Sequence, residues 1–177
     1  MNYKALNNLA TMFFDSAEHF PQKPFLWAKR NGKYISGSYS ETKNKVQLLA
    51  DSLHQLGVEK GDRVVVVSEN RPEWVIADLA IISLGGITVP AYTTNTTDDH
   101  LYILDHSEAK IAIVSSDKLA VRLMNAMSKS ASCKTIISIE ELSSDVDPSL
   151  KYLDWSSLLA PRDKLSMDVL KEAVNLK

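Results

Sequence analysis

Chemistry near neutral pH starts with histidine, and this chain has four: His19, His54, His100 and His106. His100 and His106 lie among Asp98, Asp99 and Asp105, which together have the donor types of a divalent-metal site. The spacing argues against one. On a helix, Asp99 and His106 share a side two turns apart, while His100 and Asp105 diverge. No HExxH or paired-histidine spacing occurs. Aspartates in a first helical turn have a simpler role, because they offset the helix dipole. The serines include no G-x-S-x-G elbow. Cys133, the single cysteine, has no histidine near it and reads as a small residue beside a strand rather than a nucleophile. No metal ligand and no catalytic residue is assigned.

Phosphate chemistry would leave a different mark. A phosphate cradle needs closely spaced glycines so that backbone N–H groups can approach the anion. The six glycines are Gly32, Gly37, Gly57, Gly61, Gly85 and Gly86, and none follows position 86. Gly57 and Gly61 lack a following Lys-Ser/Thr and precede a strand, as do Gly85 and Gly86. Neither a Walker-type loop nor a dinucleotide fingerprint is present. Two loops remain as ligand candidates, Asn70-Arg71-Pro72-Glu73-Trp74 and Pro90–Asn95. Each follows the carboxyl end of a strand, the edge where open α/β sheets bind ligands. In the first, Asn70 and Pro72 read chiefly as a helix start, with Trp74 packing on a neighbour.

The stretch from Val64 to Thr93 positions both loops. Val64–Val67 is a β-branched run with no polar break, the pattern of a buried parallel strand. Asn70 or Arg71 caps a helix that Pro72 opens and Gly85-Gly86 closes. Ile87–Val89 begins a second strand. Such a unit predicts a parallel crossover.

Around it, Leu6, Leu9, Ala10, Phe13, Phe14 and Ala17 form one apolar helix face. Packing on the protein's own body suits this face better than lying on a membrane, because its polar side holds few lysines. Phe25–Lys29 and Lys33–Ser38 flank Asn31-Gly32, a strong hairpin signal. Ser40 caps the next helix, whose stripe is Val46, Leu49, Leu53 and Leu56. Thr96 or Thr97 caps a helix with Leu101, Ile103 and Leu104 inward. Ile111–Ser115 is a strand, 117–129 a helix and Thr135–Ile139 a strand. The order from Val64 to Ile139 is β-α-β-α-β-α-β, a parallel sheet flanked by helices. From Glu140 the chain turns polar. Trp155–Leu159 is a short apolar patch, and Met167, Leu170 and Val174 predict one side of a terminal helix. Residues 1–141 therefore read as an α/β subdomain with its sheet core at 64–139, and 142–177 as a linker and terminal helix.

Composition agrees with a globular chain: 45% hydrophobic, 24% charged, formal net charge −2. Lys and Arg are scattered, with no basic stripe to suggest nucleic acid. A single cysteine excludes an intramolecular disulfide framework and fits a reducing cytoplasm. The most apolar window, Val75–Tyr92, contains Asp78, two glycines and Pro90, and reads as a helix and strand rather than a membrane span. The N-terminus lacks the basic start and unbroken apolar run of a signal peptide. Peripheral contact with a membrane is compatible with this composition.

The segment from Gly57 to Ser116 resembles the N-terminal region of the adenylate-forming acyl-CoA synthetases. Gly57-Val58, Gly61-Asp62-Arg63-Val64, Asn70, Pro72-Glu73-Trp74, Gly86, Val89-Pro90, Ser107 and Ala109-Lys110 match the family's spaced motifs in order. The hairpin and the Tyr39-Ser40 helix start fit as well, so the resemblance runs from about Leu9 to Ser116. The wording of Asn70–Trp74, with Tyr92 after Val89-Pro90-Ala91, looks most like the long-chain fatty acid branch.

The resemblance implies a two-step ligase. A fatty acid carboxylate attacks the α-phosphate of ATP, with magnesium neutralising phosphate charge, and the coenzyme A thiol then displaces AMP. By position it places Ala91, Tyr92 and Thr93 near the coenzyme A nucleotide, with Arg122 near its 3′-phosphate. Asn70, Pro72 and Trp74 become supports of a site. The family's Ser/Thr/Gly-rich phosphate loop, its aromatic-Thr-Glu segment, its ribose-binding aspartate and its catalytic lysine match no residue here. The expectation is a truncated N-terminal piece, inactive alone, binding ATP, Mg and CoA poorly and exposing apolar surface. The alternatives are a stand-alone α/β binding module and a half-enzyme completed by a second chain.

Overall fold

The computed structural model describes residues 8–143 and 145–176. The chain divides into two compact units: Met1–Lys60 with Arg71–Gly85 and Pro161–Lys177, and Gly61–Asn70 with Gly86–Ala160.

The first unit is helical apart from one hairpin. Helix α1 (Leu9–His19) starts from an Asn8–Thr11 capping box and buries Ala10, Phe13, Phe14 and Ala17. The expected stripe shortens at its start: Leu9 is exposed at the first helical position, and Leu6 lies outside the described residues. Strands β1 (Pro24–Arg30) and β2 (Lys33–Ser38) pair antiparallel around Asn31-Gly32. Both turn residues have positive φ, 50° and 78°, as a two-residue hairpin turn requires. Helix α2 (Tyr39–Gln55) is capped by Ser38 rather than by the expected Ser40. The reason is Glu41. Its carboxylate accepts from the Ser38 backbone N–H at 2.7 Å while its own N–H donates to Ser38 Oγ at 3.2 Å, a reciprocal pair that Ser40 lacks.

Helix α3 (Pro72–Ser83) has Pro72 at its first turn and Arg71 at the cap position, without a side-chain cap bond. Gly85 ends it at φ 72°, and a Cβ there would meet Leu176 Cδ2 at 2.7 Å. Helix α7 (Val169–Asn175) buries Val169 and Ala173, not Met167, Leu170 and Val174. The Asp168 carboxylate, accepting from the Lys171 N–H at 3.1 Å, starts the helix after Met167 and so sets a different phase.

The second unit is a five-stranded, all-parallel sheet in the order β4-β3-β5-β6-β7, formed by β3 (Arg63–Val67), β4 (Ile87–Ala91), β5 (Ile111–Val114), β6 (Thr135–Ser138) and β7 (Lys151–Asp154). Val64–Val67 are all buried, as the unbroken valine run predicts. Pro90 is tolerated because β4 is an edge. Strand β7 was not foreseen. It is four residues long and is recruited by long-range pairing, with the Lys151 N–H donating to the Lys134 carbonyl at 2.8 Å.

Helices α4 (Thr97–Ser107) and α5 (Asp117–Lys129) pack on one sheet face, and the short α6 (Trp155–Leu158) follows β7. Their shared core joins Val65, Val67, Ala112 and Ile136 to Leu104, Leu123 and Met127. Cys133 is fully buried there, and burial pushes its thiol up to about 12, so it has little thiolate near neutral pH.

Candidate functional site

Several of the spaced motif residues sit at the amino end of the sheet. Lys110 Nζ lies 3.0 Å from Asp62 Oδ2, and Arg63 Nη2 lies 2.9 Å from Glu108 Oε2. Arg63 Nε also donates to the Ser107 carbonyl. These contacts pin the turn before β3 to the end of α4. They hold the strand that starts the sheet, and they are structural.

The ligand candidates lie toward the other end. The chain enters the sheet at β3, moves to β4 on one side and returns to β5 on the other. The loops after β3 and β5 therefore leave in opposite directions from the carboxyl edge, where open α/β sheets generally bind ligands. Glu69 and Ser115 meet there. Ser115 Oγ donates to the Glu69 carboxylate, and the Ser115 N–H donates to the Val67 carbonyl at 3.0 Å. Sequence reading missed this pair, because it depends on which strand neighbours β3. The only available signal was a serine directly after each of β3 and β5.

One strand further out, the loop after β4 holds the other candidates. Ala91 is buried as the last residue of β4, Tyr92 is 81% exposed and Thr93 is half-buried. The Asn95 N–H donates to the Tyr92 carbonyl at 3.2 Å and shapes the turn. Arg122, exposed on α5, brings Nη1 within 3.5 Å of the Asn95 carbonyl. Arg122 thus lies beside the turn that carries Tyr92 and Thr93.

Asn70 is exposed after β3 in this unit. Pro72 and Trp74 belong to the first unit, where Pro72 opens α3 and the half-buried Trp74 donates its N–H to the Arg71 carbonyl at 3.0 Å. Between them, Glu73 faces Arg71 at 2.9 Å and Arg30 at 3.5 Å. Burial works to raise its pKa, but hydrogen bonding and charge from the arginines outweigh it and hold the carboxyl below its usual range. This loop is committed to starting and anchoring a helix.

The Asp/His cluster resolves into a capped helix start. Thr96 and Asp99 form a capping box, with the Asp99 N–H donating to Thr96 Oγ1 at 3.2 Å. His106 stacks on Tyr102 with ring centroids 5.4 Å apart. His100 is only 2% exposed, and its Nδ1 has no hydrogen-bond partner. Among the described residues no group of three or more His, Cys, Asp or Glu converges on a point.

Burial lowers the His100 pKa, and Arg122 lowers it further against an opposing pull from Asp99. The unfolded chain therefore takes up this proton first. Stability from neutral His100 is complete above about pH 6.5 and declines as pH falls toward the lower folded value. His100→Leu should match or exceed the parent at neutral pH, since it removes an unpaired buried nitrogen worth about 1–3 kcal/mol. It should also flatten the decline just below about pH 6.5. Urea midpoints at stepped pH check this, and an unchanged slope would count against it.

Comparison with known proteins supplies the identity. The sequence model described as "AMP-binding enzyme" matches residues 13–168. The chain belongs to the AMP-binding enzyme family. It is 33% identical over 114 residues to the long-chain-fatty-acid–CoA ligase FadD15 of Mycobacterium tuberculosis, covering 64% of this chain and 19% of that protein. It is 30% identical over 135 residues to long chain acyl-CoA synthetase 3 of Arabidopsis thaliana, covering 73% and 20%. Among solved structures it resembles a benzoate CoA ligase from Burkholderia xenovorans, with TM-score 0.70 and 26% identity, over 92% of this chain and 31% of that one. The chain spans about a fifth of the length of the curated relatives it matches. Among the described residues no helix is long and apolar enough to cross a membrane.

Proposed function

We propose that this chain forms the N-terminal region of a long-chain fatty acid–CoA ligase, which makes acyl-CoA, AMP and pyrophosphate from a fatty acid, ATP and coenzyme A. The supporting observation is the family match over residues 13–168, joined by relatives that are long-chain ligases. The carboxyl edge of the sheet is the face such an enzyme uses for ligands. Tyr92, Thr93 and Arg122, with Ala91 holding the loop, are assigned to the coenzyme A side, where a guanidinium suits a phosphate. Asn70, Pro72 and Trp74 are assigned a supporting role through the helix start that follows β3.

The residues present do not fit a triphosphate. None of the six glycines follows position 86. The described residues also bring no three metal-ligating side chains together for magnesium. The chain alone is therefore proposed to be inactive and to bind ATP and coenzyme A weakly. A long-chain acid partitions into bilayers, so peripheral membrane contact belongs to the same reading. The purified chain given palmitate, ATP, Mg²⁺ and coenzyme A should form no thioester by mass spectrometry. Palmitoyl-CoA formed in proportion to added chain would overturn the inactivity.

A further inference from the structure

The β1–β2 hairpin gathers cations and aromatic side chains that are dispersed in sequence. In register, Trp27 faces Ser36, Lys29 faces Tyr34 and Arg30 faces Lys33. Cross-strand partners share a face, so Trp27, Lys29, Tyr34 and Ser36 lie on one side of the ribbon. Trp27 is 57% exposed and Tyr34 70%, and Ile35 is exposed as well. Lys29, Arg30 and Lys33 are all exposed. Arg30 also lies 3.5 Å from Glu73. Lys29 and Lys33 make no ion pair among the described residues.

From Pro24 to Ser38 there is no Asp or Glu, although the whole chain has a net charge of −2. A compact cationic tip beside upright Trp and Tyr rings is complementary to an anionic lipid surface. The rings suit the headgroup layer, and lysine stems can lie along apolar surface while their ammonium groups meet phosphate.

We propose that this hairpin docks the protein tip-first on an anionic bilayer surface, with Lys29 and Lys33 on the two faces beside the turn and Trp27 and Tyr34 on the Lys29 face. The proposal deepens the ligase reading by naming where the protein would meet the membrane its substrate partitions into. Vesicle binding is scored without turnover, so the two readings fail separately.

The test is co-sedimentation of the full chain with vesicles of phosphatidylcholine alone and of phosphatidylcholine mixed with phosphatidylglycerol. Binding is expected only to the mixed vesicles, and added salt should weaken it. Each lysine removed should cost about fivefold in partitioning, and Lys29→Glu/Lys33→Glu should cost more. Trp27→Ala/Tyr34→Ala should weaken what remains. Lys118→Glu, an exposed position on α5, should bind like the parent. All these positions are exposed, so unchanged melting shows that the variants fold. Absence of binding to mixed vesicles overturns the proposal, as does binding that survives Lys29→Glu/Lys33→Glu. If Trp27→Ala/Tyr34→Ala instead dissolves a dimer and leaves vesicle binding intact, the face is a contact between copies and the proposal fails.

Discussion

Asp51→Ala is expected to lower the unfolding free energy by about 3 kcal/mol and to free the segment from Pro161 to Asp168 from helix α2. Asp51 is fully buried, yet its carboxylate is saturated. Oδ1 accepts from the Ser166 N–H and Oγ, both at 2.6 Å, and from the Met167 N–H at 3.3 Å. Oδ2 accepts from Arg162 Nη1 and Gln55 Nε2, both at 2.8 Å. Alanine would remove the acceptor those donors share and leave the half-buried Arg162 guanidinium without its carboxylate. Burial alone would raise the Asp51 pKa, but the bonds from Ser166 and Met167 and the charge of Arg162 outweigh it and leave it lowered. Its contribution is therefore present above the ordinary carboxylate value of about 3.9 and is lost as pH falls through the folded value. Urea unfolding at neutral pH measures the loss. Cleavage by trypsin after Lys164, which is exposed, should accelerate in the variant. A variant with parental midpoint and cleavage rate would show that the strap is held by something else.

Leu123→Ala should cost a similar amount, about 3 kcal/mol, from lost burial and an unfilled cavity. Leu123 lies at the centre of α5, fully buried in the cluster shared with Val65, Ala112 and Ile136. Val121, two residues earlier on the same helix, is 43% exposed. Val121→Ala should stay within about 0.5 kcal/mol of the parent. Calorimetry of the two variants against the parent reads this difference directly. Equal losses would mean that α5 does not present the Leu123 face to the sheet.

Features carried by local pattern were legible in the sequence. The helix expected at 117–129 spans Asp117–Lys129, and its buried face includes the expected Ala120, Leu123, Met124 and Met127. Asn31-Gly32 marked the hairpin because two consecutive positive-φ residues are needed there. The β-α-β alternation implied a parallel sheet, and the valine run marked its buried strand. What depended on distant partners was not legible. Strand β7 exists because β6 offers an edge, and nothing in Lys151–Asp154 alone announces it. The phase of α7 follows the Asp168 cap rather than the apolar spacing. In sequence Asp51 is one more polar residue on a helix, because its partners from Arg162 to Met167 lie more than a hundred residues away. The Glu69–Ser115 contact required the strand order. Position after a strand marked Pro90–Asn95 as a ligand candidate, whereas Ala91, Tyr92 and Thr93 as a coenzyme A loop, and Arg122 with them, came from the family resemblance alone.

The proposed function makes these residues the scaffold and coenzyme A side of a ligase, without its phosphate-activating groups. ATP–pyrophosphate exchange on the purified 177-residue chain tests it most directly, because exchange reports adenylate formation alone. With palmitate, Mg²⁺ and labelled pyrophosphate, label in ATP should stay at the level of a protein-free blank. Label that rises in proportion to chain concentration, requires the acid and persists through repurification would contradict the account.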